Sequence, residues 1–427
     1  MGLKAQIKRH AARHILSQSR RDARRRRLEK QRLKAGHPHR VEYFHDASDP
    51  YSHLMVQLLP EFAARYEVEI IPRLVPPPPD WAAPDRDKLV AFARQDGERL
   101  ARRAELDFID PGNAPTEDDL KAAQSALLVA LDNGQFFERA AEIGAALWAG
   151  NDSDWPEVDA LRLETALAEG DARREELGHY LGGMLFYAEE WYWGPDRLHF
   201  LEQRLNDLGA TLGVKSEAAL YRQPELKFHP VNKPCELDLH WYMSFRSPYS
   251  AITADRVKAL ADHYGANLKI RYVLPMVSRG MNVPRLKRMY IVTDVVREAD
   301  RLGIPFGDIV DPLGAGVERG YAVLDYATEQ GLGFDFVQSF YRGVWSDGID
   351  ASTDKGLKNI AERAGLNWAQ VKAALGQEGW RKQVEENRAE MYAWGFWGVP
   401  SFRLGDFVTW GQDRLWLLEE ELHAKTR

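Results

Sequence analysis

Two closely similar tetrapeptides sit where chemistry could be done. Ser247-Pro248-Tyr249-Ser250 follows the alternating run Leu237–Met243, and Asp49-Pro50-Tyr51-Ser52 follows a comparable run near the start of the chain. A Ser-Pro pair opening a helix places a hydroxyl at the N-cap and a proline where no amide proton is needed. Free backbone N–H groups and the positive helix end would then face an anion. Ser-Pro is also simply a good helix start, and on local evidence the two readings stand side by side. Cys235 is the single cysteine of the chain. It cannot supply an internal disulfide, a CxxC redox pair, a zinc site of several thiolates or a cysteine-ligated iron–sulfur cluster. Histidines are scattered without HExxH or paired spacing, and no Walker or GxGxxG loop is present, so neither a metal nor a nucleotide site is expected.

The elements that must carry these tetrapeptides are written twice. Val41–Ser52 pairs with Leu239–Ser250 at an offset of 198 residues, and the same offset joins Tyr66 to Tyr264, Arg73 to Arg271, Asp96 to Asp294 and Phe108 to Phe306. Chance does not hold one register that long. Trp193-Gly194-Pro195-Asp196-Arg197-Leu198 faces Trp410-Gly411-Gln412-Asp413-Arg414-Leu415 at offset 217. The first copy therefore lacks about 19 residues of the second, and the match of Trp148 with Trp345 puts that loss after position 148.

In the second copy, Leu237–Met243 reads as a strand, followed by an amphipathic helix to about His263 and a second strand over Leu268–Leu274. A helical stretch runs from about Pro284 to Tyr392 with breaks at Gly303-Ile304-Pro305, Asp311-Pro312 and Asp347–Ser352. Pro400–Leu404 and Phe407–Trp410 form a hairpin about Gly405-Asp406, and Asp413–His423 is the closing helix. Strand, helix, strand, helical insertion, hairpin and helix is the order of a thioredoxin fold with an inserted helical domain. The expected organisation is a basic arm at 1–40, a first such domain at 41–208, a Pro-bearing linker at 209–235 and a second domain at 236–427.

Charge divides along the same lines. Residues 1–40 hold 14 Lys and Arg against Asp22 and Glu29, so the rest of this chain of net charge −7 carries −19. The arm has few apolar residues to bury and is expected to be a solvated helix or disordered. It suits nucleic acid, an anionic surface or the acidic body of the protein itself, and an arm without a dedicated partner is the plainer alternative. A transit peptide is a further alternative. No run of about 18 apolar residues exists, and a cytoplasmic protein is expected.

Taken together, SPYS after a strand, Lys287-x-x-Tyr290-x-x-x-Asp294, Leu302–Phe306, Val344–Gly348, Gly398-Val399-Pro400-Ser401-Phe402 and Trp410–Leu415 resemble the kappa-class glutathione transferase and 2-hydroxychromene-2-carboxylate isomerase family. That family belongs to the DsbA-like thioredoxin superfamily, and the resemblance spans nearly all of 237–427. It implies an α/β chain of two tandem DsbA-like thioredoxin folds, the first degenerate. Redox members begin this helix with CPxC, and SPYS cannot run thiol–disulfide exchange.

By the resemblance the thiol comes from glutathione. Ser247 would donate a hydrogen bond to its sulfur and, with the helix end, hold it as thiolate. Val399–Pro400 would be a cis-proline loop whose backbone pairs with the tripeptide, although an ordinary trans proline is the competing reading. Gln412 and Asp413 would anchor the γ-glutamyl end, unless Asp413 only caps a helix. Lys287 would steer an acidic substrate or the glycyl carboxylate, a solvated salt-bridging lysine being the alternative. Asn282 stands where the family has an asparagine, in a loop that has lost the family's proline pair.

The first copy departs where it matters. Asp49 replaces the serine, and a carboxylate beside a thiolate would raise the thiol pKa. Gly182-Gly183 stands for Val399-Pro400 and Leu89 for Lys287. This copy would shape the substrate pocket or mimic the subunit of a homodimeric relative, whereas the whole protein would otherwise act as a homodimer. The Pro76–Pro79 run is a stiff segment leading into its insert. Tryptophans at 191, 193, 394 and 397 are expected to be core, with a pocket role open for Trp394 and Trp397. The expected activity is a glutathione-dependent isomerase or transferase acting on an unsaturated, aromatic-derived electrophile. The rival is a non-catalytic binding scaffold on a decayed tandem fold, and a disulfide oxidoreductase is disfavoured by the thiol count.

Overall fold

A computed structural model describes residues 16–151, 154–213 and 218–427. Its strand ladders reproduce the repeat read from the sequence. Strand β1 (His39–His45) pairs in parallel with β2 (Val68–Leu74), Val41 facing Ile70. Strand β5 (Asp238–Met243) pairs with β6 (Asn267–Tyr272), Leu239 facing Leu268, 198 residues on in both members. The hairpins β3 (Met184–Tyr187) with β4 (Glu190–Trp193) and β7 (Ser401–Leu404) with β8 (Phe407–Trp410) complete two four-stranded sheets. Their orders are β2-β1-β3-β4 and β6-β5-β7-β8.

Helices fill the same positions in each copy. The chain begins with α1 (Gln18–Ala35), and the first copy continues with α2 (Pro50–Arg65), α3 (Arg86–Ala104), α4 (Glu117–Asp132), α5 (Phe136–Ala149), α6 (Ala160–Glu176) and α7 (Gly194–Leu208). The second has α8 (Pro248–Tyr264), α9 (Arg285–Leu302), α10 (Ala315–Glu329), α11 (Gly333–Trp345), α12 (Asp354–Arg363), α13 (Trp368–Ala374), α14 (Gly379–Ala393) and α15 (Leu415–Thr426). Helices α12 and α13 have no counterpart among the described residues of the first copy, which is the deletion expected after Trp148. No described helix is long and apolar enough to cross a membrane.

Among the described residues, compact units form from 24–223 and from 224–427 together with 16–23. The stretch read as a linker at 209–235 is thus divided at Pro224, and each part is tied down. Glu202 accepts the Leu220 amide at 3.0 Å, whereas Glu419 accepts the Lys227 amide at 2.8 Å and Cys235 N–H donates to Tyr264 O at 2.8 Å. The closing helix starts later than the sequence suggests, because Gln412–Arg414 first forms a 3-10 turn.

In the second unit the core locks the insert onto the loop that leads to Ser247. Phe245 is fully buried, stacks on Phe340 at 3.9 Å and meets Tyr321 at 5.2 Å. Each such ring contributes roughly 1.5–3 kcal/mol on burial. Trp345 Nε1 donates to Phe245 O at 3.3 Å, and Tyr321 donates to Val273 O at 2.6 Å. Apolar burial and directed hydrogen bonds therefore fix the backbone one residue before the Arg246-Ser247 turn.

Candidate active site

Ser247 is the N-cap of α8, and Pro248 occupies the first turn. Its Oγ accepts the Ser250 amide at 3.1 Å and has its own proton aimed at Val399 O, 3.4 Å away. That second distance exceeds the usual 2.5–3.0 Å for a hydroxyl donor, so the proton is weakly held. Arg246 pairs with both oxygens of Asp311 at 2.8 and 2.9 Å, and so steadies the turn on the insert.

The facing loop is built by close packing. Val399–Pro400 is a cis peptide bond, the isomer expected from the sequence. Ser401 Oγ donates to Gly398 O at 2.7 Å, Arg279 donates to Trp397 O at 3.0 Å, and Gly411 N–H donates to Pro400 O at 2.9 Å. A Cβ on Gly398 would lie 2.3 Å from Trp410 Cζ2, so only glycine lets the loop approach that indole. Trp397 meets Trp410 edge-on at 5.0 Å. Between these anchors, the Val399 N–H makes no hydrogen bond among the described residues. Together with the weakly engaged Val399 carbonyl, it offers a strand-like donor and acceptor beside Ser247.

Lys287, in the first turn of α9, is buried, and its Nζ lies 5.8 Å from the centre of the Trp397 ring. Burial pushes its ammonium down to about 8. It therefore lies beside Trp397 and is not a solvated surface lysine. Asn282 is exposed in the loop before α9, and its side chain makes no hydrogen bond among the described residues. The structure does not bring it into contact with the others.

Gln412 and Asp413 lie in the turn after β8. Gln412 is buried with its amide fully engaged: Oε1 accepts from Arg256 at 2.9 Å, and Nε2 donates to Glu298 at 3.1 Å and to Asp413 Oδ1. Arg301 completes the cluster by donating to Glu298 at 2.7 Å. Burial lowers the Arg256 guanidinium to about 10. Gln412 is thus a strut, and Asp413, which its amide holds, is the less buried member of the pair. Arg256 and Glu298 were not singled out in the sequence. Setting the copies side by side would have found them, because Leu58 and Leu100 stand at the matching positions and Pro195 matches Gln412.

The first unit keeps the frame and closes the site. Tyr51 donates to Asp96 at 2.7 Å as Tyr249 donates to Asp294 at 2.8 Å. Gly194 N–H donates to Gly183 O at 2.8 Å, which puts Gly182-Gly183 where Val399-Pro400 lies in the other unit. A Cβ on Gly182 would fall 2.4 Å from Asp46 Cβ, and one on Gly183 3.0 Å from Asp49 Oδ2. The glycine loop thus lies directly on the helix cap. Asp49 accepts from the Tyr51 and Ser52 amides at 3.2 and 3.1 Å and from Ser52 Oγ at 2.9 Å. Burial and the neighbouring Asp46 carboxylate push Asp49 up to about 7. The Asp49 carboxyl is thus committed to the cap of its own helix.

Comparison with known proteins bears on the second unit. Residues 238–423 match the DSBA-like thioredoxin domain. The chain is similar to 2-hydroxychromene-2-carboxylate isomerase of Pseudomonas putida, 24% identical over 190 residues, or 43% of this chain and 92% of that protein. It is 27% identical over 198 residues to the isomerase of the same name from Sphingobium xenophagum, covering 43% and 97% of the two chains. A solved 2-hydroxychromene-2-carboxylate isomerase structure aligns with 44% of this chain and 94% of its own at 25% identity and a TM-score of 0.37.

Proposed function

We propose that residues 236–427 form a glutathione-dependent isomerase, with transferase chemistry as the variant in which the adduct is released. The observation that carries the reading is the Ser247 hydroxyl, weakly held against Val399 O at the head of α8, in a chain whose single thiol, Cys235, is buried elsewhere. The residues present fit the tripeptide. The unpaired Val399 N–H and the adjacent carbonyl suit an extended peptide. Asp413, held by Gln412, suits an ammonium, and Lys287 suits a carboxylate. Asn282 would have to fold inward to take part.

Bound there, glutathione would supply the nucleophilic thiolate this chain lacks, adding reversibly to an unsaturated, aromatic-derived carbonyl compound so that the double bond can isomerise. Ser247 turns its proton from Val399 O toward the sulfur and, with the helix dipole, favours the charged form. The half-buried indole of Trp410, against which the buried Trp397 packs, provides apolar, aromatic surface for the acceptor. Localising both reactants in this way can supply several kcal/mol of the barrier. Calorimetric titration of the full chain with glutathione tests the reading: saturable binding of one equivalent supports it, and no binding leaves the scaffold alternative. For the first unit the sealed glycine loop favours a non-catalytic, supporting role.

A further inference from the structure

Helix α1 takes no part in that site, and its surface is divided by charge. Arg25 forms a two-pronged pair with Glu190 at 2.7 and 2.6 Å, and Arg24 meets Glu189 at 2.6 Å. Arg32 holds Glu29 at 2.7 Å and donates to His37 O at 2.7 Å. The helix is closed by Gly36 in a left-handed conformation, with His37 N–H returning to Arg32 O. These contacts make it a fixed element with both of its acidic residues partly covered. On the other side Arg20, Arg26, Arg27, Lys30 and Lys34 are exposed and carry no ion pair among the described residues. At 100° per residue the five fall within an arc of about 120°, spread over about 21 Å of helix.

We propose that this outer face of α1 binds the phosphate backbone of double-stranded nucleic acid, independently of sequence. A membrane-surface helix needs an apolar face. Leu28 and Leu33, the only large apolar residues of α1, sit on different sides, and none of its residues is buried. Single-strand binders stack bases on aromatic rings, and α1 has none. What remains is a rigid row of cations, which matches a rigid row of phosphates.

The test is anisotropy of two labelled 20-base-pair duplexes of unrelated sequence, titrated with the full chain between 50 and 200 mM salt. Equal affinity for both duplexes is expected. Each phosphate contact adds about 0.9 to the slope of log affinity against log salt. The variant Arg26→Gln/Arg27→Gln/Lys30→Gln should therefore lose about 2.7 from that slope, so that wild-type affinity falls ~40-fold more than the variant's over this range. These side chains face solvent, and an unchanged melting curve confirms that the variant is folded. No duplex binding at 50 mM salt, an unchanged slope in the variant, or tighter binding to phosphatidylserine vesicles than to duplex would each overturn the proposal.

Discussion

The Ser247 hydroxyl lies 3.4 Å from the carbonyl oxygen of Val399, and these two atoms join the head of α8 to the loop that enters β7. The equivalent junction of the first unit has no such gap. There, Asp49 is bonded to its own helix amides, and Gly183 packs against it. One frame thus carries a weakly engaged hydroxyl in one unit and a fully bonded carboxyl in the other.

Lys287 should trade stability for binding. Its folded pKa of about 8 lies below the ordinary 10.5, so the charged form is disfavoured in the fold below pH 8, and the deficit disappears as pH rises from 8 to 10.5. Lys287→Met should stabilise the fold at pH 7, by about 2–3 kcal/mol at most, seen as a higher thermal midpoint, and weaken S-methylglutathione binding. Measured as calorimetric affinity, wild-type binding should fall above pH 8, while Lys287→Arg should not show that fall.

Asp49 carries the opposite sign. Its folded pKa of about 7 lies above the ordinary 3.8, so the unfolded chain releases the proton first and stability falls as pH rises from about 4 to 7. Asp49→Asn keeps a cap for the helix amides and removes this penalty. The melting difference between variant and wild type should be small at pH 4 and reach about 2–4 kcal/mol at pH 8. A difference that does not change with pH would contradict the buried-carboxyl assignment.

Arg256 acts through Gln412 as a positioning residue. Arg256→Met should weaken glutathione binding about tenfold, consistent with a charged-group hydrogen bond of 1.5–3 kcal/mol. A glutathione analogue lacking the α-amino group should bind both proteins equally, because Asp413 then has no ammonium to hold. Equal losses for both ligands would show a merely structural effect.

Gly398 is fixed by space. Gly398→Ala puts a methyl group into Trp410, which should cost about 1–3 kcal/mol. The Trp397–Trp410 pair should separate, and this is readable as a change in near-ultraviolet circular dichroism.

Much of the fold was legible because the sequence states it twice. The matching β1–β2 and β5–β6 registers follow from the offset of 198, and the missing helices α12 and α13 from its change to 217. Ser247 was legible because an N-cap is local chemistry. The Arg256–Gln412–Glu298 cluster was not, since it joins residues from three elements about 40 to 150 positions apart in the chain. Gln412 consequently read as a ligand contact, although its amide is consumed internally. Nor could the state of α1 be read, because its inner face is held by Glu189 and Glu190, far away in sequence.

The central claim is that this chain borrows its thiol and holds it at Ser247. It is tested most directly by ultraviolet titration of the thiolate of glutathione bound to the full-length protein, in wild type, Ser247→Ala and Asp49→Ala. The account predicts one bound thiol per chain with a pKa below the ~8.5 of a free cysteine thiol, raised toward that value in Ser247→Ala and unchanged in Asp49→Ala. A bound thiol that titrates identically in wild type and Ser247→Ala would contradict it.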